Sequence, residues 1–334
     1  MPSQLEIVCQ NIDRLITVEA RISDYSRGVI AQLYEAACEA QEGGPLTLRA
    51  ARLIHERAKP GRFVLMTTGA GGPPFLPAGE TDGPPGLAAL SRAIHQATGA
   101  IPILLTEPDF VDNLAATALA GGLGLRTPEM AREAPYCTAV LPLSGGEDAP
   151  RQAAEYLARF APCLVVSVEK IGPNSQGIAH TASGKPTRGL RARAECLFDL
   201  AAAEGIASIG VGDNGNEIGF GLIEPAVKQY KPEGTQLATR VCTDVLVAAN
   251  TSNWGAYGIV AALAAVTENP DLLHTPDVER RMIEACVAAQ GGDGSTGRSI
   301  LAVDGMPLEM HCALVTMLGV IVRNGLIRGY RRPF

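Results

Sequence analysis

"IASIGVGDNGNEIGFG", Ile206 to Gly221, joins a short apolar run to a turn crowded with glycine, amide and acid. The run 206–211 is rich in β-branched residues and bounded by turn residues, as expected of a strand buried on both faces. The same pattern recurs at 62–66, 101–106, 138–142, 163–168 and 241–248. Between these runs lie stretches with helical periodicity, at 84–98, 110–120, 149–160, 189–204 and 217–230. Residues 26–58 read as two helices ahead of the first strand, and 252–290 and 307–328 as helices that close the fold. Strand and helix in alternation predict a doubly wound α/β fold: a mainly parallel sheet with helices on both faces, Rossmann-like and three-layered. No repeat, low-complexity tract or composition break divides the chain, so a single domain over 1–334 is expected, with 1–60 as a helical segment packed on it.

The chain has 334 residues, 46% of them hydrophobic, enough to bury a large core. Only 19% are charged and the net charge is −7, which argues against a nucleic-acid partner. Two arginine clusters, Arg188-Arg191-Arg193 and Arg328-Arg331-Arg332, read as solvated surface. Residues 1–25 carry no apolar signal segment, and no apolar run is long enough to span a bilayer. A cytoplasmic protein without a membrane partner is expected, and a homo-oligomer is compatible with this composition. The eight cysteines are scattered without a C-x-x-C pair, which fits free thiols in a reducing compartment rather than disulfides or zinc ligands.

In open parallel sheets, ligands bind outside the carboxyl ends of the strands. After the first expected strand comes Thr67-Thr68-Gly69-Ala70-Gly71-Gly72, and then Glu80-Thr81-Asp82-Gly83-Pro84-Pro85. The fourth ends in Glu169-Lys170, the fifth in Asp213-Asn214-Gly215-Asn216-Glu217, the sixth in Asn250-Thr251-Ser252-Asn253-Trp254. Backbone N–H groups of the 67–72 run suit an anion nest, and so a small carboxylate-bearing substrate. Asp82 is placed to cap the helix that Pro84 and Pro85 begin. Glu169 is a candidate acid or base and Lys170 a candidate carboxylate anchor, set against a plain surface ion pair. Asp213 and Glu217 would share a face if a helix begins near Asp213. Oxygen-rich sets of this kind, with Glu80 and Asp82 as further candidates, suit a divalent cation such as manganese or magnesium. His180, in a polar loop, suits proton transfer and a surface position equally, whereas His311 lies in an apolar helix pattern and reads as core.

Gly210 to Gly215 also spells G-x-G-x-x-G, so a nucleotide-binding oxidoreductase or regulatory module is the competing class. Acids flank the place where phosphates would sit, and no acid for a ribose ends the next strand. No nucleotide cofactor is expected.

Three segments taken together, 80–86 (ETDGPPG), 212–219 (GDNGNEIG) and 252–257 (SNWGAY), resemble the D-glutamate cyclase family, specifically its C-terminal catalytic-type domain. Val303-Asp304-Gly305 fits the same likeness, and Asn214 departs from it, standing where the family's loop has a glycine. The resemblance implies an ATP-independent hydro-lyase that closes D-glutamate, or a related amino diacid, to 5-oxo-D-proline, or hydrolyses that lactam. A hydrolase of another small cyclic amide, imide or lactone is the near alternative. The resemblance implies proton transfer or cation binding by Asp213 and Glu217, with Glu169 and Asp82 as further catalytic groups and Glu80 on the opposite wall. Thr67, Thr68 and Gly69 would bind a carboxylate, with Lys170 beside them. Asn214, Asn216, Ser252 and Asn253 would orient the substrate, and Trp254 would wall the pocket or pack beneath it.

Overall fold

The first strand, β1 (Phe63–Gly69), is buried along its whole length and sends alternate side chains to opposite cores. Val64 and Met66 join the larger core and Phe63 and Leu65 the smaller one. The structure, a computed structural model, describes residues 2–21, 27–187, 191–329 and 331–332. In chain order the other sheet strands are β2 (Ile101–Thr106), β3 (Gly124–Leu125), β4 (Cys137–Pro142), β5 (Leu164–Lys170), β6 (Ala207–Gly212) and β7 (Val245–Ala248). All are parallel, in the order β3-β4-β2-β1-β5-β6-β7. A two-stranded antiparallel hairpin, β8 (Ala302–Val303) with β9 (Met306–Pro307), stands apart.

The expected doubly wound α/β fold is the one the chain adopts. Helices Ala149–Phe160 and Glu195–Ala203 cover the smaller core. The larger core is built around helix Ser252–Val266, in which every residue from Ser252 to Ala265 is buried. Its sequence is apolar on every side, as befits a helix enclosed by others. Helices Gln4–Ile16, Leu46–Arg57, Pro84–Thr98 and Leu308–Leu326 pack around it. The first of these falls within the stretch 1–60 expected to be helical, outside the two helices read at 26–58, and Ser3 and Glu6 form a capping box at its start.

Successive strands run outward from β1 through β2, and the chain then restarts at β5 on the other side of β1. The topological switch point therefore lies between β1 and β5, where a ligand crevice is expected. Their register breaks between Thr67 and Gly69, and Glu169 takes a φ of 49°, a left-handed conformation uncommon outside glycine.

Three expected elements differ. The helix expected over 217–230 begins only at Glu224, because Ile218 N–H donates to Lys170 and Gly219 and Gly221 N–H donate to Val241. That pairing also takes residue 241 away from the sheet, which shortens the expected strand 241–248 to β7. The helix expected over 189–204 is described from Glu195, and its first residues, 189 and 190, lie outside the described residues.

Asp82 does not cap the helix beside it. Its carboxylate accepts the N–H groups of Ser252 (2.9 Å) and Asn253 (2.8 Å), at the start of the Ser252–Val266 helix. Asn253 returns the contact: its Oδ1 accepts the N–H groups of Gly83 (2.9 Å) and Gly86 (2.7 Å), and its Nδ2 donates to the Thr81 carbonyl (2.9 Å). Pro84 and Pro85 carry no N–H, so Gly86 is the first residue of that helix that needs an acceptor. Two helices thus cap each other across the switch point.

Asn253→Ala leaves two buried N–H groups and a buried carbonyl without partners. It should destabilise the protein by roughly 2–4 kcal/mol in denaturant unfolding; a loss under about 1 kcal/mol would contradict the reciprocal cap.

Candidate active site

Six carboxyl groups gather at the carboxyl ends of the strands. Glu80 and Asp82 come from the loop after β1, Glu169 from β5, Asp213 and Glu217 from the turn after β6, and Asp304 from the β8–β9 hairpin. Carboxylate oxygens of Asp82, Asp213 and Asp304 lie within 4.8 Å of one another, as do those of Glu169, Asp213 and Glu217. Asp213 belongs to both sets and is the centre of the cluster.

The β6 turn reaches this point without a helix. Glu217 turns back on its own loop, accepting the N–H groups of Asn214 (3.1 Å) and Gly215 (2.8 Å). The expectation that Asp213 and Glu217 meet on one helix face is therefore wrong in its geometry, although the two carboxylates do meet. Ser252 Oγ donates to Glu169 at 2.5 Å, which ties the β7 loop to β5. Gly83 is obligatory between them: its φ is +102°, and a Cβ there would lie 2.3 Å from Thr68 Oγ1 and 2.9 Å from Glu169 Cβ.

Burial, followed by mutual repulsion, holds the Glu80, Asp82 and Glu169 carboxyls well above the usual carboxylate range. Asp213 is pushed up to about 7 by burial, against the pull of Arg21. Asp304 is pushed up to about 7 by burial and by Asp213, again opposed by Arg21. Arg21 is the main counter-charge. Its Nη1 donates to Asp213 at 2.5 Å and to Asp304 at 3.2 Å, and its Nη2 reaches Asn214 Oδ1 at 3.3 Å. Asn214 Oδ1 also accepts from Lys231 Nζ at 2.5 Å, and burial lowers that ammonium to about 8. A glycine in place of Asn214 could join neither cation.

The sequence matches the model of the "D-glutamate cyclase-like, C-terminal" family over residues 35–319. The chain belongs to that family. Among curated proteins it is similar to the human protein "D-glutamate cyclase, mitochondrial", 31% identical over 214 residues. The match covers 60% of this chain and 32% of the human protein, so the chain spans about a third of the length of that relative.

The structure brings most of the expected residues of this D-glutamate cyclase-like chain together and re-assigns several. Thr67 and Thr68 are buried at the end of β1, and their hydroxyls, with Asn216 Oδ1, have no hydrogen-bond partner among the described residues. Gly69 abuts the Glu107 carboxylate. Lys170 is fully buried and ion-paired to Glu107, so its ammonium is committed within the protein and is not a free carboxylate anchor. Asn253 spends its amide on the helix cap and is not free to orient a substrate. Trp254 does not wall the pocket: it lies in the larger core, and its indole N–H donates to His311 at 2.9 Å. His311 is the core histidine expected, and His180 is buried, with its ring nitrogen 3.1 Å from the Ile178 carbonyl.

Arg21, Glu107, Lys231 and Arg191 were missed as site residues. Val303-Asp304-Gly305 was noticed, but no chemistry was attached to Asp304. Glu107 follows the end of β2 and Asp304 sits in a noticed motif, so both carried a local signal, whereas Arg21, Lys231 and Arg191 are brought in by tertiary packing alone. Arg191 corrects the surface reading of its cluster, because Nε and Nη1 of its guanidinium are buried. Arg193 and Arg328 do pair on the surface, with Glu195 and Glu268. Arg188 lies outside the described residues. All eight cysteines are free, as expected. No helix among the described residues is long and apolar enough to cross a membrane.

Raised carboxyls bind protons in the folded state that they release in the unfolded one, so stability falls as pH rises through the window between about 4 and 7. In EDTA, the thermal midpoint should rise by a few degrees as the pH is lowered from about 8 to about 6. A midpoint that is flat or falls over that range would contradict the cluster's electrostatics.

Proposed function

We propose that this chain closes D-glutamate to 5-oxo-D-proline with loss of water, or hydrolyses that lactam through the same transition state. The observation that carries the reading is the convergence of Glu169, Asp213 and Glu217 at the switch point of a D-glutamate cyclase-like fold. In the forward direction the amine nitrogen bonds to the γ-carboxyl carbon, a C–O bond breaks, and two protons pass from nitrogen to the departing oxygen. The site therefore needs a proton acceptor and a proton donor on one small substrate.

Glu217, held by two backbone N–H groups, takes the two protons from nitrogen in turn, one before attack and one after it, and passes them to Glu169, whose carboxylate lies within 4.8 Å, for delivery to the leaving oxygen. Glu169, whose carboxyl is raised by burial and held by Ser252, delivers both protons in turn to the leaving oxygen, which departs as water. The unpartnered hydroxyls of Thr67 and Thr68 donate to substrate oxygens, including the one on which charge develops. Enclosing the substrate among these groups holds the chain folded back on itself, with amine and γ-carboxyl in contact.

The oxygen set fits a hard divalent cation: Asp82, Asp213 and Asp304 offer carboxylates close enough to share one ion, and all three are oxygen donors. Such an ion, manganese or magnesium, would polarise the carboxyl under attack. No part of the reading calls for a nucleotide.

Asp213→Asn should lower turnover by at least ~1,000-fold while leaving the thermal midpoint within a few degrees of the parent. NMR follows both directions on D-glutamate, 5-oxo-D-proline and a panel of other lactams and imides, with EDTA and with added manganese or magnesium. A variant with normal turnover would remove Asp213 from the mechanism, and turnover confined to another cyclic amide would replace the substrate.

A further inference from the structure

Three of the cations around the acid cluster are bonded within the protein. Arg21 holds Asp213 and Asp304, Lys170 holds Glu107, and Lys231 holds Asn214. Arg191 differs. Its Nε and Nη1 are buried and make no hydrogen bond among the described residues. Each fork of the guanidinium, Nε with Nη2 and Nη1 with Nη2, so keeps an open donor.

Burial alone disfavours the Arg191 charge, and the carboxylates of Glu107, Glu80, Glu169 and Glu217 oppose that cost through space. They hold the cation without bonding Nε or Nη1. Arg191 also lines a cleft of about 250 Å³ whose other walls include Ile171, Pro173, Ile178 and Ala179. Ile171 follows Lys170 directly and pairs through its backbone with Glu217, so one wall of this cleft adjoins the turn that carries Glu217. The backbone behind Arg191 is fixed: Ala192 N–H donates to Glu107 at 3.2 Å, and the Arg191 carbonyl packs on Gly145.

A buried guanidinium with an open donor on each fork, in a residue that also lines a small cleft, is complementary to an anion that accepts charge-assisted hydrogen bonds. We infer that Arg191 determines specificity by binding the carboxylate that the substrate keeps through the reaction. This rests on the cyclase reading above and refines it: the acid cluster handles the reacting carboxyl, and Arg191 the retained one. The division explains how a site this acidic could accept a dianionic substrate, since one carboxylate meets a cation whose Nε and Nη1 are not bonded to any of the six carboxyls.

The test uses the whole chain, as parent, Arg191→Gln and Arg191→Lys. Calorimetric titrations compare 5-oxo-D-proline with 2-pyrrolidone, the same lactam without its carboxylate, and with glutarate and succinate. For Arg191→Gln, affinity for 5-oxo-D-proline should fall roughly 100-fold with that for 2-pyrrolidone unchanged, and kcat/KM for D-glutamate should fall mainly through KM. Arg191→Lys should recover part of the loss. Equal weakening of both lactams, or 5-oxo-D-proline binding within about 3-fold of the parent, would overturn the inference. Arg191-dependent binding of glutarate or succinate, with no binding of D-glutamate or 5-oxo-D-proline, would keep the anchor and remove the cyclase reading. A parent chain that binds none of these carboxylates would overturn the anchor as well.

Discussion

The reciprocal cap between Asp82 and Asn253 is the contact on which the site depends. A helix start leaves N–H groups that must find acceptors, and here each of two helices supplies the acceptor for the other. The exchange locks the loop after β1 to the loop after β7, with β5 between them. Glu169 and Thr68 sit beneath that clasp, against Gly83. Remove the clasp and no other described contact sets the distance between the two loops so directly. The same contact explains why Asp82 and Asn253 look like chemistry in the sequence: their first task is to hold the frame. Asp82 performs it while keeping a carboxylate oxygen within reach of Asp213 and Asp304.

Packing acids this closely works against folding. Each buried carboxylate loses hydration, and each neighbour adds repulsion. The protein offsets part of that cost with Arg21, whose side chain is 7% exposed and whose two carboxylate partners are 1% and 13% exposed. The rest is carried as raised proton affinity, which suits the proton transfers of the proposed reaction. In the pair of Lys170 and Glu107 each charge meets a partner, although burial still pulls the Lys170 ammonium below its ordinary range. Arg191 has no such partner at Nε or Nη1 among the described residues.

The fold was largely legible, because parallel strands buried on both faces declare themselves as short apolar runs. Two of the errors share a source. Residues 217–221 look like the start of a helix, but their backbone pairs with Lys170 and Val241, and a local pattern cannot register a partner that is distant in sequence. The site was legible in the same measure. Residues on strand ends, such as Glu169 and Asp213, could be named from topology alone. Roles could not: Lys170, Asn253 and Trp254 have the right chemistry and the right address, yet spend their polar atoms on Glu107, on two helix turns and on His311. Arg21 and Arg191 lie in stretches with no motif, and only the folded chain shows that both face acids.

Asp304 and Arg21 are separated by 283 positions and meet on the same oxygen-lined floor. The chain is made from its N-terminus, so Arg21 and five of the six carboxyls are synthesised well before the hairpin that carries Asp304. Contacts of such sequence separation are the slowest to close. The balance of charge in the site is thus a property of the finished chain: a fragment lacking either end would carry acids without their cation or a cation short of its acids.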